Sequence, residues 1–479
     1  MTTTPLLRDQ DQLENPPDLA EIDRRCVFHP STDLRAHAHG ELGTPRIIEG
    51  GSGIRIRDRD GREYVDAFAG LYCVNVGYGR TEIADAIDAQ ARKLAYYHVY
   101  AGHSHEPVIL LSERILAMAP PGFSKVYYGQ SGSDANETNV KLVWYYWNVL
   151  GRPQKRKIIS RLRGYHGSGI MSGSLTGLPL FHQAFNLPLP DVLHTSTPHH
   201  YWGAQEGESE AAFAARCAAE LEEMILAEGA DTVAAFIAEP VLGTGGLIPP
   251  PEGYWAAIQA VLDRHEVLLI ADEVVTGFGR IGRNFGIERY DIRPDLMTVA
   301  KGLTSGYLPL SGTLVGDRVW AVLEEGSRQY GPIGHGWTYS AHPLGAAAAL
   351  ANLDIIEREG LVENAETVGA HFQARLHATF DDHPLVGEVR GVAMLAALEF
   401  VADGARKQRF DPLLKVGARG AAACLEEGMI ARAMPHGDIL GFAPPLVTTT
   451  AEIDDIVERT RRAVDRVTDA LVSEGALAR

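Results

Sequence analysis

Cysteine is scarce: there are four in 479 residues, at Cys26, Cys73, Cys217 and Cys424, and no two form a C-x-x-C pair. That spacing excludes a disulfide framework and a zinc ribbon, and leaves reduced, mostly buried thiols and no metal as the expectation. Positive charge is in deficit. Lys and Arg number 44 against 62 Asp and Glu, a formal net charge of −18. That sign repels phosphate backbones and anionic membranes, so neither nucleic acid nor membrane is an expected partner. No apolar run approaches the roughly 18 residues of a membrane span. The Ala-rich stretch of residues 344 to 356 is shorter and carries Asn352 and Asp354, so it reads as a buried soluble helix. The first twenty residues are polar and acidic and lack the basic start and apolar stretch of a secretory signal. The cytoplasm is the expected compartment.

What is present is ordinary globular material, 45% hydrophobic and 22% charged, in a chain long enough for two or three domains. A helix is predicted from residue 81 to about 97, with Thr81 as its cap and Ile83, Ile87, Ala91 and Leu94 on one face. A second helix runs toward Pro120. From there KVYYG reads as a strand, DANETNVKLVWYYWNVL as a helix, and KIISRL, AAFIAEP, VLLIADEV, DLMTVAKG and SGTLVG as further strands. Alternation of this kind predicts an α/β fold with a mostly parallel sheet covered by helices. Beyond about residue 341 come long amphipathic helices, one strand-rich patch, VGEVRGVAMLAALEF, and a final helix from Thr450. The expected organisation is therefore an N-terminal arm with part of a small domain (1–75), a large domain (76–340) and a smaller α+β domain (341–479). Residues 164 to 207, rich in Gly, Pro, His and Ser, read as an active-site or interface loop.

Two residues stand out chemically. Asp272 ends VLLIAD and Lys301 ends DLMTVAK, and the carboxyl ends of strands are where open α/β sheets build ligand sites. A lysine after five largely apolar residues either reaches solvent past the strand end or is a desolvated, nucleophilic amine. The turn SGSDANET places Gly132 and Ser133 at a helix start, which is an anion cradle or an ordinary cap. Tyr165 in GYHG is an aromatic plate or a packing residue. A phosphate cradle, an aromatic, a carboxylate and an amine, each just past a strand, together suit pyridoxal 5'-phosphate. Gly277, Gly279 and Gly282 spell G-x-G-x-x-G, the dinucleotide fingerprint, but RIGRNFGIERYDIRP has no helical apolar period, so no helix N-terminus is expected there for a pyrophosphate.

SGSDANETNVKL, GYHG, AEPVLGTGG, ADEVVTGFGR, TVAKGLTSG and HGWTYSAHP resemble, in that order, the class III, omega-amino acid:pyruvate aminotransferases. These are fold type I pyridoxal-phosphate enzymes, with a large domain built on a mostly parallel sheet and a smaller α+β domain. The likeness runs from AFAGLYCVNVGYGR to APPLVTTTAEID. It implies that Lys301 holds the cofactor's aldehyde and moves the substrate's proton, and that Asp272 pairs with the pyridine nitrogen. Gly132 and Ser133 would bind the phosphate, and Tyr165 and Val274 would sandwich the ring. Thr338 would reach the phosphate from a neighbouring subunit, which implies a homodimer with shared sites, or a tetramer. Glu239 would sit beside the cofactor and pair with a mobile arginine, assigned to Arg432, which clamps the carboxylate of pyruvate or alanine. The segment Met434-Pro435-His436 before Gly437 is longer than the family pattern. Tyr72, Tyr100, Thr244, Trp337 and Tyr165 would line the substrate pocket.

The implied activity is an omega-transaminase, moving an amino group from an amine or omega-amino acid to pyruvate or a similar keto acid by ping-pong turnover through pyridoxamine 5'-phosphate. The same cofactor residues would also serve a decarboxylase or an aminomutase. Readings from other classes are a nicotinamide oxidoreductase and a catalytically silent cofactor-binding protein. Beta-alanine, taurine, putrescine, 4-aminobutyrate and aromatic amines all stay open as donors, because loops set the pocket's shape.

Overall fold

The computed structural model describes residues 18–477; the reading of the N-terminal segment as free of a secretory signal falls mostly outside them. They form two compact units, one of residues 18–51 and 56–63, the other of 52–55 and 64–477. In the first, the helix Leu19–Cys26 starts at Asp18, whose carboxylate accepts from the amides of Ala20 and Glu21, and the short helix Leu34–Ala38 is capped in the same way by Asp33.

The second unit is organised around a seven-stranded sheet of β1 (Phe123–Gly129), β2 (Lys157–Arg161), β3 (Val192–Thr195), β4 (Val233–Ala238), β5 (Leu268–Asp272), β6 (Leu296–Val299) and β7 (Ser311–Gly316). The strand order is β1-β7-β6-β5-β4-β2-β3. Only β7 runs antiparallel to its neighbours; β2 to β6 pair in parallel. The central strands β4 to β7 are buried along their whole length, which is why they read as continuous apolar runs rather than alternating ones. Their side chains still alternate by face. Leu268 and Ile270 join a core with the helices Gly132–Val149 and Asp317–Tyr330. Leu269 and Ala271 join the larger core with Glu210–Glu228 and Tyr254–Arg264. Asp272 is the last residue of β5, and Lys301 lies two residues beyond Val299, the end of β6.

Beyond residue 341 the helices Pro343–Arg358 and Leu361–Phe380 lead to a second sheet. Its strands are β8 (Val386–Val392), β9 (Leu395–Phe400), β10 (Arg432–Ala433) and β11 (Ile439–Phe442), in the order β8-β9-β11-β10, all antiparallel. The final helix Thr450–Ser473 begins with a reciprocal cap between Thr449 and Glu452. The α/β class, the mostly parallel sheet and the second α+β layer all match the expectation.

Three local expectations are corrected. Thr81 is the first residue of its helix rather than its cap, Arg80 fills the cap position without a side-chain bond, and the helix stops at Lys93. Residues 164 to 207 are not one loop: they contain the helix Ile170–Leu175 and the edge strand β3, whose mixed polar sequence hid it. Only two of the four cysteines, Cys217 and Cys424, are buried; Cys26 is exposed and Cys73 half-buried. The G-x-G-x-x-G run forms turns with Gly279 and Gly282 at positive φ, followed only by the four-residue helix Gly286–Arg289.

Candidate active site

The site lies where β4, β5 and β6 end. Asp272 is 3% exposed, and its partners leave it little freedom. Oδ2 accepts from Nδ2 of Asn136 at 2.9 Å and from Nδ1 of His166 at 2.8 Å. Oδ1 accepts from the Val274 amide at 3.1 Å. Asn136 is itself fixed: its Nδ2 also donates to the His166 carbonyl, and its Oδ1 accepts from Thr298 on β6 at 2.7 Å. A carboxylate held from three sides keeps its direction.

Lys301 has φ +44, a backbone conformation that a non-glycine residue adopts only when its surroundings enforce it. Its Nζ stands 5.1 Å from the centroid of the Tyr72 ring. Burial lowers its proton affinity, opposed by Cys73 and Asp272 nearby, so the amine is shifted toward the neutral, nucleophilic form. Gly302 follows because a Cβ there would run into the Asn75 amide.

Tyr72 is presented by an unusual turn. Ala69, Gly70, Leu71 and Tyr72 all have positive φ, between 45° and 69°. Left-handed backbone costs roughly 1–2 kcal/mol per non-glycine residue, and Asp66 offsets that cost by accepting from the amides of Phe68 and Gly70 and from the Tyr78 hydroxyl. The Tyr72 hydroxyl is buried next to Thr244; burial pushes its proton affinity well up, with Glu239, while Arg432, Arg280 and Thr244 pull it down. Arg432, on β10, stacks 5.5 Å from the centroid of Phe68 and has no ion pair or hydrogen bond from its guanidinium among the described residues.

The helix Gly132–Val149 opens with Ser131 and Asp134 capping one another. The Asp134 amide is thereby satisfied, whereas those of Gly132 and Ser133 have no partner among the described residues, as expected for the first turn. Val274 packs against Gly132 so closely that a Cβ there would lie 2.8 Å from its methyl carbon. Tyr165 lies across the same region, its hydroxyl 3.1 Å from Oγ of Ser168, and Ser168 donates its amide to Oγ of Ser133. Glu239 is buried, its Oε1 accepting from the Gly243 amide at 3.1 Å, and its cation partner is Arg161, at 3.6 Å, rather than Arg432.

The family described as aminotransferase class-III matches residues 36–464. The chain belongs to the class III aminotransferases. The diaminobutyrate–2-oxoglutarate transaminase of Halomonas elongata is 66% identical over 462 residues, 96% of this chain and 98% of that one. The putrescine–pyruvate aminotransferase of Pseudomonas aeruginosa is 42% identical over 429 residues, 89% and 92% of the two chains. Among solved structures, a transaminase from directed evolution by ancestral reconstruction superposes with a TM-score of 0.94 at 71% identity, over 95% of this chain and 99% of that one. An omega transaminase of Pseudomonas jessenii in complex with PMP superposes at 0.92 with 45% identity, over 95% and 99%.

A class III aminotransferase uses pyridoxal phosphate, and the residues of this one fit the cofactor. Two unpartnered amides open a helix, a fixed carboxylate ends β5, and a desolvated lysine follows β6. The chain thus brings Gly132, Ser133, Tyr165, Val274, Glu239, Asp272 and Lys301 to one end of the sheet, with Tyr72, Thr244 and Arg432 beside them. Tyr100, Trp337 and Thr338 make no hydrogen bond or ring contact with these residues among the described ones. Trp337 donates to Oγ1 of Thr138 at 3.3 Å, Tyr100 packs against Gly336, and exposed Thr338 accepts at its carbonyl from Tyr96. Asn136, His166 and Arg161 were missed as supports for the site. Two of them stand inside quoted motifs, SGSDANET and GYHG, but nothing local marks a contact across 136 or 106 residues.

Proposed function

We propose that this class III aminotransferase is an omega-transaminase that moves the amino group of a terminal primary amine to pyruvate or a similar small keto acid, through two ping-pong half-reactions. The observation that carries the reading is Arg432, a guanidinium beside Lys301 and Tyr72 with no carboxylate partner among the described residues. The neighbouring arginines are engaged: Arg163 with Gly245 and His199, Arg280 with Pro444 and Asn75, Arg161 with Glu239. One uncommitted guanidinium suits a monocarboxylate acceptor.

Bound pyridoxal phosphate supplies the electron sink for charge developing at the substrate α-carbon. The amides of Gly132 and Ser133 would hold the phosphate at the helix start. Tyr165 and Val274 would flank the ring, and Asp272 would hold the pyridine nitrogen. Lys301, its proton affinity lowered by burial, would bind the aldehyde and move the proton at the substrate carbon. Tyr72 and Thr244 shape the pocket, Glu239 stays with Arg161 beside the cofactor site, and Arg432 swings aside when an uncharged amine enters.

Tyr100, Trp337 and Thr338 complete the site of a second copy, making the enzyme a homodimer with shared sites. No helix among the described residues is long and apolar enough to cross a membrane; we take the compartment as the cytoplasm and the domains as 1–75, 76–340 and 341–479. The second reading for the acceptor is 2-oxoglutarate, favoured by the name of the Halomonas relative, and that relative's donor, diaminobutyrate, presents a terminal amine as putrescine does.

Arg432→Ala decides the clamp. Losing a charge-assisted pair of about 2 kcal/mol raises KM for pyruvate and alanine roughly thirtyfold while sparing simple amines. An equal loss for both classes would move the clamp elsewhere. Product analysis with and without pyruvate separates transamination, which needs the acceptor, from decarboxylation, which releases carbon dioxide.

A further inference from the structure

Asn75 follows the Tyr72 turn by three residues and is 1% exposed, with every polar group engaged. Its Nδ2 donates to the Phe278 carbonyl at 2.9 Å, and its Oδ1 accepts from a terminal nitrogen of Arg280 at 2.7 Å. Its backbone carbonyl accepts from the Leu446 amide at 2.8 Å, and its own amide donates to the Cys73 carbonyl at 2.9 Å. These partners fix the side chain's orientation, because a flipped amide would set N–H against guanidinium N–H and oxygen against oxygen.

The oriented amide backs the turn that carries Lys301. A Cβ on Gly302 would collide with Nδ2 of Asn75 and lie 3.1 Å from its Cγ. From another element, Nδ2 of the buried Asn352 donates to the carbonyls of Gly302 and Leu303 at 2.8 and 3.0 Å. One residue after Asn75, the Val76 amide donates to Oγ of Ser305 at 3.2 Å. Residues 301 to 305 are therefore gripped by the 75–76 segment and the helix Pro343–Arg358, and within that grip Lys301 and Ser305 both hold positive φ, +44 and +48. Such backbone persists only where its surroundings over-determine it.

Arg280 adds a charge. It is fully buried, it donates to the Pro444 carbonyl and to Asn75, and it has no carboxylate ion-pair partner among the described residues. Buried charges are usually paired with an opposite one. Burial lowers Arg280 to about 10, which leaves it charged at neutral pH, and that charge acts on both Tyr72 and Cys73.

We propose that Asn75 is a positioning residue for Lys301: its amide, oriented by Arg280, backs Gly302 and holds the Lys301 turn in place against Tyr72, and being neutral it leaves the Arg280 charge uncancelled next to that turn. An aspartate would fill the same space and pair with Arg280, but it would cancel the cation. A cation near an amine opposes its protonation, and a lysine that takes an aldehyde reacts as the neutral amine. The groups facing Lys301 are Tyr72 and Cys73 on the preceding turn, Asp272 at the end of β5, Glu239 after β4 and Arg432 on β10. The scheme rests on reading Lys301 as the residue that holds the cofactor's aldehyde.

The test uses the full-length enzyme. Asn75→Ala removes the support behind Gly302, Asn75→Asp keeps its size and the bond to Arg280 while cancelling the charge, and Lys301→Ala is the control. The quantities read are the pH midpoint of the visible band of the loaded enzyme, the rate at which saturating L-alanine or L-glutamate, whichever the wild type accepts, bleaches that band, and the melting temperature of the apoenzyme. Asn75→Ala should slow bleaching about tenfold with the half-saturating concentration unchanged. Asn75→Asp should bleach within about threefold of the wild type and raise the midpoint by about one pH unit, since an added anion favours the protonated form. Wild-type bleaching in Asn75→Ala, or a lower melting temperature in both variants with the midpoint unmoved, overturns the proposal. If Asn75→Ala does not fold, the midpoint of Asn75→Asp decides alone: a rise supports the proposal and no change overturns it. If Lys301→Ala keeps the visible band, the reading of Lys301 itself falls.

Discussion

Glu273 shows how differently two adjacent acids can be used. Asp272 ends β5 held by Asn136 and His166, whereas Glu273 is fully buried with no cation acting on it among the described residues. Its carboxyl accepts from the Ile287 amide at 2.6 Å and is bonded to the Thr276 hydroxyl, so it ties the turns after β5 back to the sheet. Burial pushes it up from 4.5 to about 7. A raised carboxyl binds its proton more tightly in the folded state, so its contribution to stability is full below pH 4.5 and is lost as pH rises through about 7. Glu273→Gln, which keeps a neutral group of the same shape, should therefore gain stability relative to wild type by about 1 kcal/mol per pH unit across that window. Urea titrations at pH 5 and pH 8 measure it, and a gap that stays constant would show that Glu273 is ionised throughout. Asp272 and Lys301 were legible in the sequence because each ends an apolar run, where a charged side chain needs a reason. Asn136 and His166 were not, since an amide and an imidazole carry no such penalty and their role exists only through contacts made by the fold.

At the scale of elements, the second sheet is fastened to the loops that carry the site. Arg390 on β8 donates through Nε and its other terminal nitrogen to the Gly246 carbonyl, two residues after Thr244. Its remaining nitrogen lies 2.6 Å from Glu388 and 2.8 Å from Glu399. Arg163, two residues before Tyr165, donates to the Gly245 carbonyl and to His199, and His199 bonds Glu388. His199, Glu388 and Glu399 could pass for metal ligands, but Arg390 already stands against both carboxylates. Burial raises Glu399, and Arg390 and Arg163 outweigh it and hold the carboxyl below its usual range. Removing one partner of such a buried group leaves an uncompensated charge, so Arg390→Leu should cost about 3–5 kcal/mol in a denaturant titration. A loss under 1 kcal/mol would mean that the network relaxes to water. The strands and helices were mostly readable from period and apolar runs. The edge strand β3 was not, because its four residues include His194 and Thr195 and two of them are only half-buried, and the Thr81 cap failed because capping depends on backbone geometry that residue type only biases.

At the scale of the molecule, the fold class was legible because buried parallel strands and covering helices leave distinct patterns. A site shared between two copies, as proposed, would leave none, since residues meeting across subunits obey no spacing rule. What the fold adds is a surface: Tyr96, Tyr97, Tyr100, Ile333 and Tyr339 are all between 37% and 56% exposed, grouped by the ring contact of Tyr96 with Tyr339 and the packing of Tyr100 on Gly336. Apolar exposure of that kind is what the proposed interface between two copies would cover. If Thr338 serves the phosphate of a second copy, dilution through the dimer dissociation range releases cofactor, and Thr338→Ala weakens cofactor retention without unfolding the subunit. A fully active monomer would refute the shared site. The most direct test of the whole account is the absorbance spectrum of the purified enzyme supplied with pyridoxal phosphate, taken before and after an amine donor and then pyruvate. The account predicts a visible band that bleaches with the donor, returns with the keto acid, and is missing from Lys301→Ala; a wild-type protein with no band, or a Lys301→Ala variant with full activity, would contradict it.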